Sequence, residues 1–199
     1  LRRKEHYHRP MATSPAWVLA IAVALAPACG PKQSGGAGPQ RLEPITAAPG
    51  FSAPDETGTL RSLAEFRGRP VVLYFYPKDG TPGCTREACA FRDEWQRLSA
   101  TGAQVLGVSL DSVESHAAFK RQHALPFPLL SDAEGRVLEA YGVTRNAKGY
   151  AARTTFIIDA EGIIRRIFPE VDPAVHVQEV LRVLEAMKHQ GLDRPAPKR

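Results

Sequence analysis

Between residues 45 and 190 the chain alternates short apolar runs with stretches in which apolar residues recur every three or four positions. Val71-Val72-Leu73-Tyr74-Phe75-Tyr76 is an unbroken run of β-branched, leucine and aromatic residues closed by Pro77. Such a run predicts a central strand buried on both faces. After the turn Asp79-Gly80-Thr81-Pro82-Gly83, the residues Ala88, Phe91, Trp95 and Leu98 fall at helical spacing. That spacing predicts a helix over 84–98 with Cys84 in its first turn. The same reading gives a strand over 104–110, helices over 112–122 and 133–141, and strands over 154–158 and 163–168. Asp159-Ala160-Glu161-Gly162 is a turn between the last two strands, and 173–188 closes the region as an amphipathic helix. Strands interleaved with amphipathic helices, without an internal repeat, predict one α/β domain over 45–190.

Residues 1–29 have a different pattern: a basic start, an apolar run from Ala16 to Ala26, then Ala26-Pro27-Ala28 ahead of Cys29. This reads as an export signal, and the run is too short to span a bilayer. The stretch ending at Cys29 is similar to a bacterial lipoprotein signal, whose cysteine becomes the lipidated first residue, although Ala26 and Pro27 stand where such signals carry leucine and a small residue. Lipidation of Cys29 with attachment to the cell envelope, and simple cleavage after Ala28, are both open. The alternative location is the cytoplasm, if 1–29 is not a leader; a start at Met11 would leave that leader almost no basic segment. Residues 30–44, with Ser34-Gly35-Gly36-Ala37-Gly38-Pro39, have little to bury and read as a flexible tether; 191–199 is a basic tail.

The net charge of +5 and pI near 9.3 suggest nucleic acid at first sight. Arg2, Arg3, Lys4 and Arg9 against Glu5 supply +3 of it, leaving only about +2 for the rest of the chain. With no basic-aromatic surface pattern, nucleic acid is not an expected partner. No phosphate loop or organic-cofactor motif stands out, and no cysteine–histidine spacing suits a metal, so no cofactor is expected.

The chemistry is carried by the cysteines. Cys84, at a helix start after a Gly-containing turn, would sit beside unpaired amides and the positive end of the helix dipole, both of which favour the nucleophilic thiolate. Thr81 can direct its hydroxyl to the sulfur, and Pro77 can shield it from water. The competing reading of Cys84 is a small buried hydrophobe. Cys89 follows five residues later, about 7.5 Å along and about 500° around a helix. Since a disulfide needs Cα atoms within about 7 Å, an intact helix cannot join the pair. His116, His123 and His176 read as ordinary surface, interface or helix-start residues.

The motif Tyr76-Pro77-Lys78-Asp79-Gly80-Thr81-Pro82-Gly83-Cys84-Thr85 resembles the peroxiredoxin active site, P-x-x-x-T-x-x-C. The spacing to Cys89, with Glu87-Ala88-Cys89-Ala90-Phe91-Arg92-Asp93, is similar to the bacterioferritin comigratory protein, or Q-type, subfamily. The likeness extends through Pro126-Phe127-Pro128-Leu129-Leu130-Ser131-Asp132 and Tyr141-Gly142-Val143 to Arg153-Thr154-Thr155-Phe156. It implies a thioredoxin-like fold, with a central mixed sheet flanked by helices, and an antioxidant thiol peroxidase. In that role Cys84 attacks the peroxide, Cys89 resolves the sulfenic acid and Arg153 lies beside the sulfur. It further implies hydrogen peroxide and organic hydroperoxides as substrates, thioredoxin or a similar dithiol as reductant, and a monomer. Two rivals are a tethered disulfide reductase and a non-catalytic redox switch. The reductase would need C-x-x-C, and a proline where Arg153 stands.

Overall fold

The computed structural model describes residues 45–194. The leader with Cys29, the tether over 30–44 and the tail over 195–199 lie outside the described residues. In chain order the elements are β1 (Thr46–Ala47), β2 (Ser52–Pro54), β3 (Leu60–Ser62), a 3-10 turn (Leu63–Phe66), β4 (Val71–Phe75), α1 (Pro82–Asp93) and α2 (Trp95–Ala100). There follow β5 (Gln104–Ser109), α3 (Val113–His123), β6 (Leu129–Ser131), α4 (Arg136–Ala140), β7 (Thr154–Ile158), β8 (Ile163–Pro169) and α5 (His176–His189). No described helix is long and apolar enough to cross a membrane.

Six strands form one sheet in the order β1-β8-β7-β4-β5-β6. β4, β5 and β6 run parallel, while β7 pairs antiparallel with β4 and β8 with β7. The sheet is therefore mixed, as expected. β4 lies inside it and is buried along its whole length. Because successive side chains point to opposite faces, Val72 and Tyr74 join a core with Phe91, Leu98, Phe119, Val180 and Leu184. Val71, Leu73 and Phe75 join a second core with Phe66, Val137, Leu138 and Tyr141. Each face of the sheet is thus covered, which is why β4 reads as a continuous apolar run.

Three helices differ from the spacing. The stretch over 84–98 is two helices: α1 starts at Pro82, whose fixed φ suits a first helical position, and breaks at Glu94. The break leaves Phe91 fully buried and Trp95 6.0 Å from the ring of Phe127. α4 is shorter than 133–141 because Asp132 begins a turn through Gly135 (φ 78°), and its carboxylate accepts the amides of Val137 and Leu138. α5 begins at His176 and not at 173, since Asp172 closes a turn by accepting from Ala174, Val175 and His176. The strands β1, β2, β3 and β6, two or three residues each, have no distinct signal in the sequence pattern.

Candidate active site

Phe75, the last residue of β4, pairs with Thr154, the first of β7. The loop leaving β4 and the residue preceding β7 therefore emerge side by side at one end of the sheet. The loop carries Pro77 through Thr81 into α1; the residue is Arg153.

Thr81 caps α1 in extended conformation, and its carbonyl accepts the first helical bond from the Thr85 amide at 2.8 Å. Its hydroxyl donates to the Lys78 carbonyl at 3.1 Å, holding the turn. Thr81 is thus beside the helix start, as expected, but in this conformation its hydroxyl is spent on the loop and not on the sulfur. Pro77 is half-buried at the strand exit. Cys84 is the third residue of α1, where amides lack acceptors within the helix, and it is 1% exposed.

Arg153 Nη2 donates to Cys84 Sγ at 3.1 Å, and Nη1 pairs with Glu87. One guanidinium fork thus spans a sulfur and a carboxylate one helical turn apart. The close approach requires Gly83: a Cβ there would lie 2.7 Å from Arg153 Nη2. Glu87 is 1% exposed, and Oε1 has no hydrogen-bond partner. Burial pushes its carboxyl up from 4.5 to about 7, against the lowering influence of Arg153. Behind it the Tyr74 hydroxyl is buried without a partner, and its ring stacks on Phe91 at 4.9 Å. Burial raises the Tyr74 phenol well above its ordinary value, and the negative charges of Glu87 and Cys84 add to that. The site therefore offers a sheltered sulfur, one fixed cation and a carboxyl that exchanges its proton near neutrality.

The loop is held from the other side by a buried polar cluster. Asp79 accepts from the Tyr76 hydroxyl (2.7 Å) and the Ser115 hydroxyl (2.7 Å), and pairs with His116 Nδ1 at 2.8 Å. The Asp79 amide donates to Asp111 at 2.8 Å. Burial works to raise the Asp79 carboxyl, but the hydrogen bond and charge of His116, with the bonds from Tyr76 and Ser115, outweigh it and leave it lowered. His116 corrects the sequence expectation: it is fully buried, with Nε2 3.1 Å from the Leu130 carbonyl. It faces inward because α3 presents it on the same side as Phe119, one turn later.

His176 does lie at the start of α5, but inside the protein, with Nε2 2.9 Å from the Thr155 hydroxyl. Burial, then the charge of Arg153, lowers it to about 4, so it is neutral and structural at physiological pH. Cys89 is partly exposed on the same unbroken α1 as Cys84, and both are free thiols. His123, half-buried at the end of α3, brings Nδ1 to 3.9 Å from Cys89 Sγ. The sequence reading gave no role to Glu87, Asp79, His116 or His123. Glu87 had a signal: it shares the inward stripe of α1 with Cys84, Ala88 and Phe91. The others are brought together only by long-range packing. Among the described residues no cluster of three or more His, Cys, Asp or Glu suits a metal.

Residues 45–167 match the model of the AhpC/TSA family. The chain is 51% identical over 140 residues to the bcp peroxiredoxin of Coxiella burnetii, covering 67% of this chain and 93% of that protein. It is 42% identical over 144 residues to the chloroplastic peroxiredoxin Q of Oryza sativa subsp. japonica, covering 71% of this chain and 66% of the rice protein. Among solved structures, peroxidoxin BcpB of Mycobacterium tuberculosis superposes with a TM-score of 0.69 at 36% identity, over 74% of this chain and 99% of the other. The bacterioferritin comigratory protein of Xanthomonas campestris, described as having alkyl peroxide reduction activity, gives 0.65 at 34% identity, over 68% and 90%.

Proposed function

The chain belongs to the AhpC/TSA family, with thiol-peroxidase relatives named peroxiredoxin bcp and peroxiredoxin Q, and from that premise we propose that it reduces hydrogen peroxide and organic hydroperoxides through Cys84, with Cys89 as the resolving thiol. The observation that carries the reading is the Arg153 guanidinium 3.1 Å from the buried Cys84 sulfur at the start of α1. A cation there favours the thiolate, and its fork can also hold a peroxide oxygen against the sulfur.

The Cys84 thiolate attacks one peroxide oxygen, the O–O bond breaks, and water or an alcohol leaves with a proton, so that the sulfur becomes a sulfenic acid. The Cys89 thiol then displaces the sulfenic oxygen as water, forming the disulfide. With both cysteines on one continuous α1, five residues apart, that step needs local unwinding of the helix. An external dithiol, thioredoxin or a protein like it, restores both thiols. The Xanthomonas relative's alkyl peroxide activity supports an organic hydroperoxide as one substrate class.

We further propose that residues 1–29 direct export and that Cys29 carries a lipid anchor, placing the peroxidase at the envelope; mass measurement of the mature N-terminus tests this. The activity is tested by peroxide consumption by the full chain with dithiothreitol or thioredoxin. Turnover in the parent, its loss in Cys84→Ser, and a trapped sulfenic acid in Cys89→Ser are expected. A parent without turnover overturns the reading, and a Cys89→Ser variant in full turnover with thioredoxin removes the resolving role.

A further inference from the structure

Cys89, the thiol assigned to resolution, is partly exposed where Cys84 is buried, and it has its own surroundings. His123 Nδ1 is 3.9 Å from Cys89 Sγ, within hydrogen-bonding reach of a sulfur. His123 is the last residue of α3. Its ring is held edge-on to Phe119, centroids 5.0 Å apart. Arg92, one turn after Cys89 on α1, donates to the His123 carbonyl at 2.8 Å and is itself fixed by Asp93. The hydrogen bond to Asp93, and after it the charge of Cys89, raise the Arg92 guanidinium. Cys89 thus faces an imidazole from α3 and a guanidinium from its own helix.

The same contacts anchor one side of α1. Arg92 ties its last turns to the end of α3, and Phe91 is fully buried against Tyr74 and Phe127. Cys84, by contrast, follows Gly83 in the first turn of α1, next to a loop containing Gly80 at φ 70°. Unwinding from that end would bring Cys84 toward Cys89 without breaking the contacts that hold Cys89 beside His123.

We propose that His123 is the general base for resolution, taking the proton of the Cys89 thiol as that sulfur attacks the Cys84 sulfenic acid. The inference rests on Cys89 being the resolving cysteine. The S–S bond forms as the S–O bond breaks; Cys89 sulfur is oxidised, Cys84 sulfur is reduced, and the departing hydroxide regains the proton from the imidazolium as water. No further oxidant or reductant enters.

The test is a single turnover of the full chain with one equivalent of hydrogen peroxide, quenched in acid at intervals, with free thiols alkylated. Trypsin cuts after Arg86, between the two cysteines, so the disulfide appears as two linked peptides in the mass spectrum. In His123→Phe, Cys84 sulfenic acid forms at the parental rate, while the linked peptides form about tenfold more slowly at neutral pH, a modest effect for a lost general base because some thiol ionises unaided. The deficit closes as the pH rises into the range where a free thiol ionises. His123→Gln, which keeps polarity and approximate size, behaves in the same way. Linkage at the parental rate in both variants overturns the proposal and leaves Cys89 as the resolving thiol. A deficit equal at every pH also overturns it, because it marks a packing role. A parent that never forms the linked peptides overturns the underlying reading of Cys89.

Discussion

Replacing Glu87 with glutamine removes a buried charge while keeping an oxygen to accept from Arg153, and the consequence follows from one titration. The carboxyl ionises near 4.5 when exposed in the unfolded chain and near 7 when folded. Between those values the unfolded chain releases its proton first, so the folded state loses stability as pH rises from 4.5 and the loss levels off above 7. A gap of about 2.5 units at about 1.36 kcal/mol each gives about 3 kcal/mol. For a domain of this size that is a shift in melting temperature of about 6–12 °C. Glu87→Gln lacks this slope. Melting curves of parent and variant from pH 4 to pH 8.5 should therefore diverge, with the variant gaining steadily up to pH 7 and the difference constant beyond. Taking the difference cancels other titrating groups, His176 among them. A difference that stays flat with pH, or that favours the parent as pH rises, would refute the claim that burial of this carboxyl outweighs its pairing with Arg153.

Two further substitutions probe the surroundings. His176 ionises at about 4 in the fold and near 6.5 when exposed, so the unfolded chain takes up a proton first as pH falls; the parent should lose about 3 kcal/mol between pH 6.5 and pH 4 from this group, and His176→Gln should lack that loss in urea titrations at each pH. In Gly83→Ala the added methyl meets Arg153 Nη2 at 2.7 Å, so stopped-flow peroxide reduction should slow by about 10²-fold through misplacement of the cation. Its melting temperature should hold or rise, since alanine suits a helix better than glycine.

The parts of the fold that could be read from the chain are those whose burial pattern is local. β4, β7 and α1 are continuous stripes, and one motif joins Cys84, Thr81 and Pro77 within eight residues. Arg153 was reached only through family resemblance, because nothing in its neighbours shows that β7 pairs with β4. The inward turn of His116 depends on an acceptor at Leu130 and a carboxylate at Asp79, 14 and 37 residues away. The contact of His123 with Cys89 spans 34 residues. Such meetings arise from the packing of α3 against its neighbours. The break at Glu94 was likewise hidden, since the apolar period continues through it to Leu98.

That break limits how far motion can travel. In a continuous helix over 84–98, α2 would be the next turns of the same element that has to unwind. With the chain leaving helical geometry at Glu94, α2 forms a separate short rod, seated by fully buried Leu98 and by Trp95 against Phe127. The first turns of α1 can then melt and reform while Phe91 and Arg92 hold its last turns. The core beneath α2 need not open for that melting, and Trp95 stands at the frontier, where its emission would report each passage.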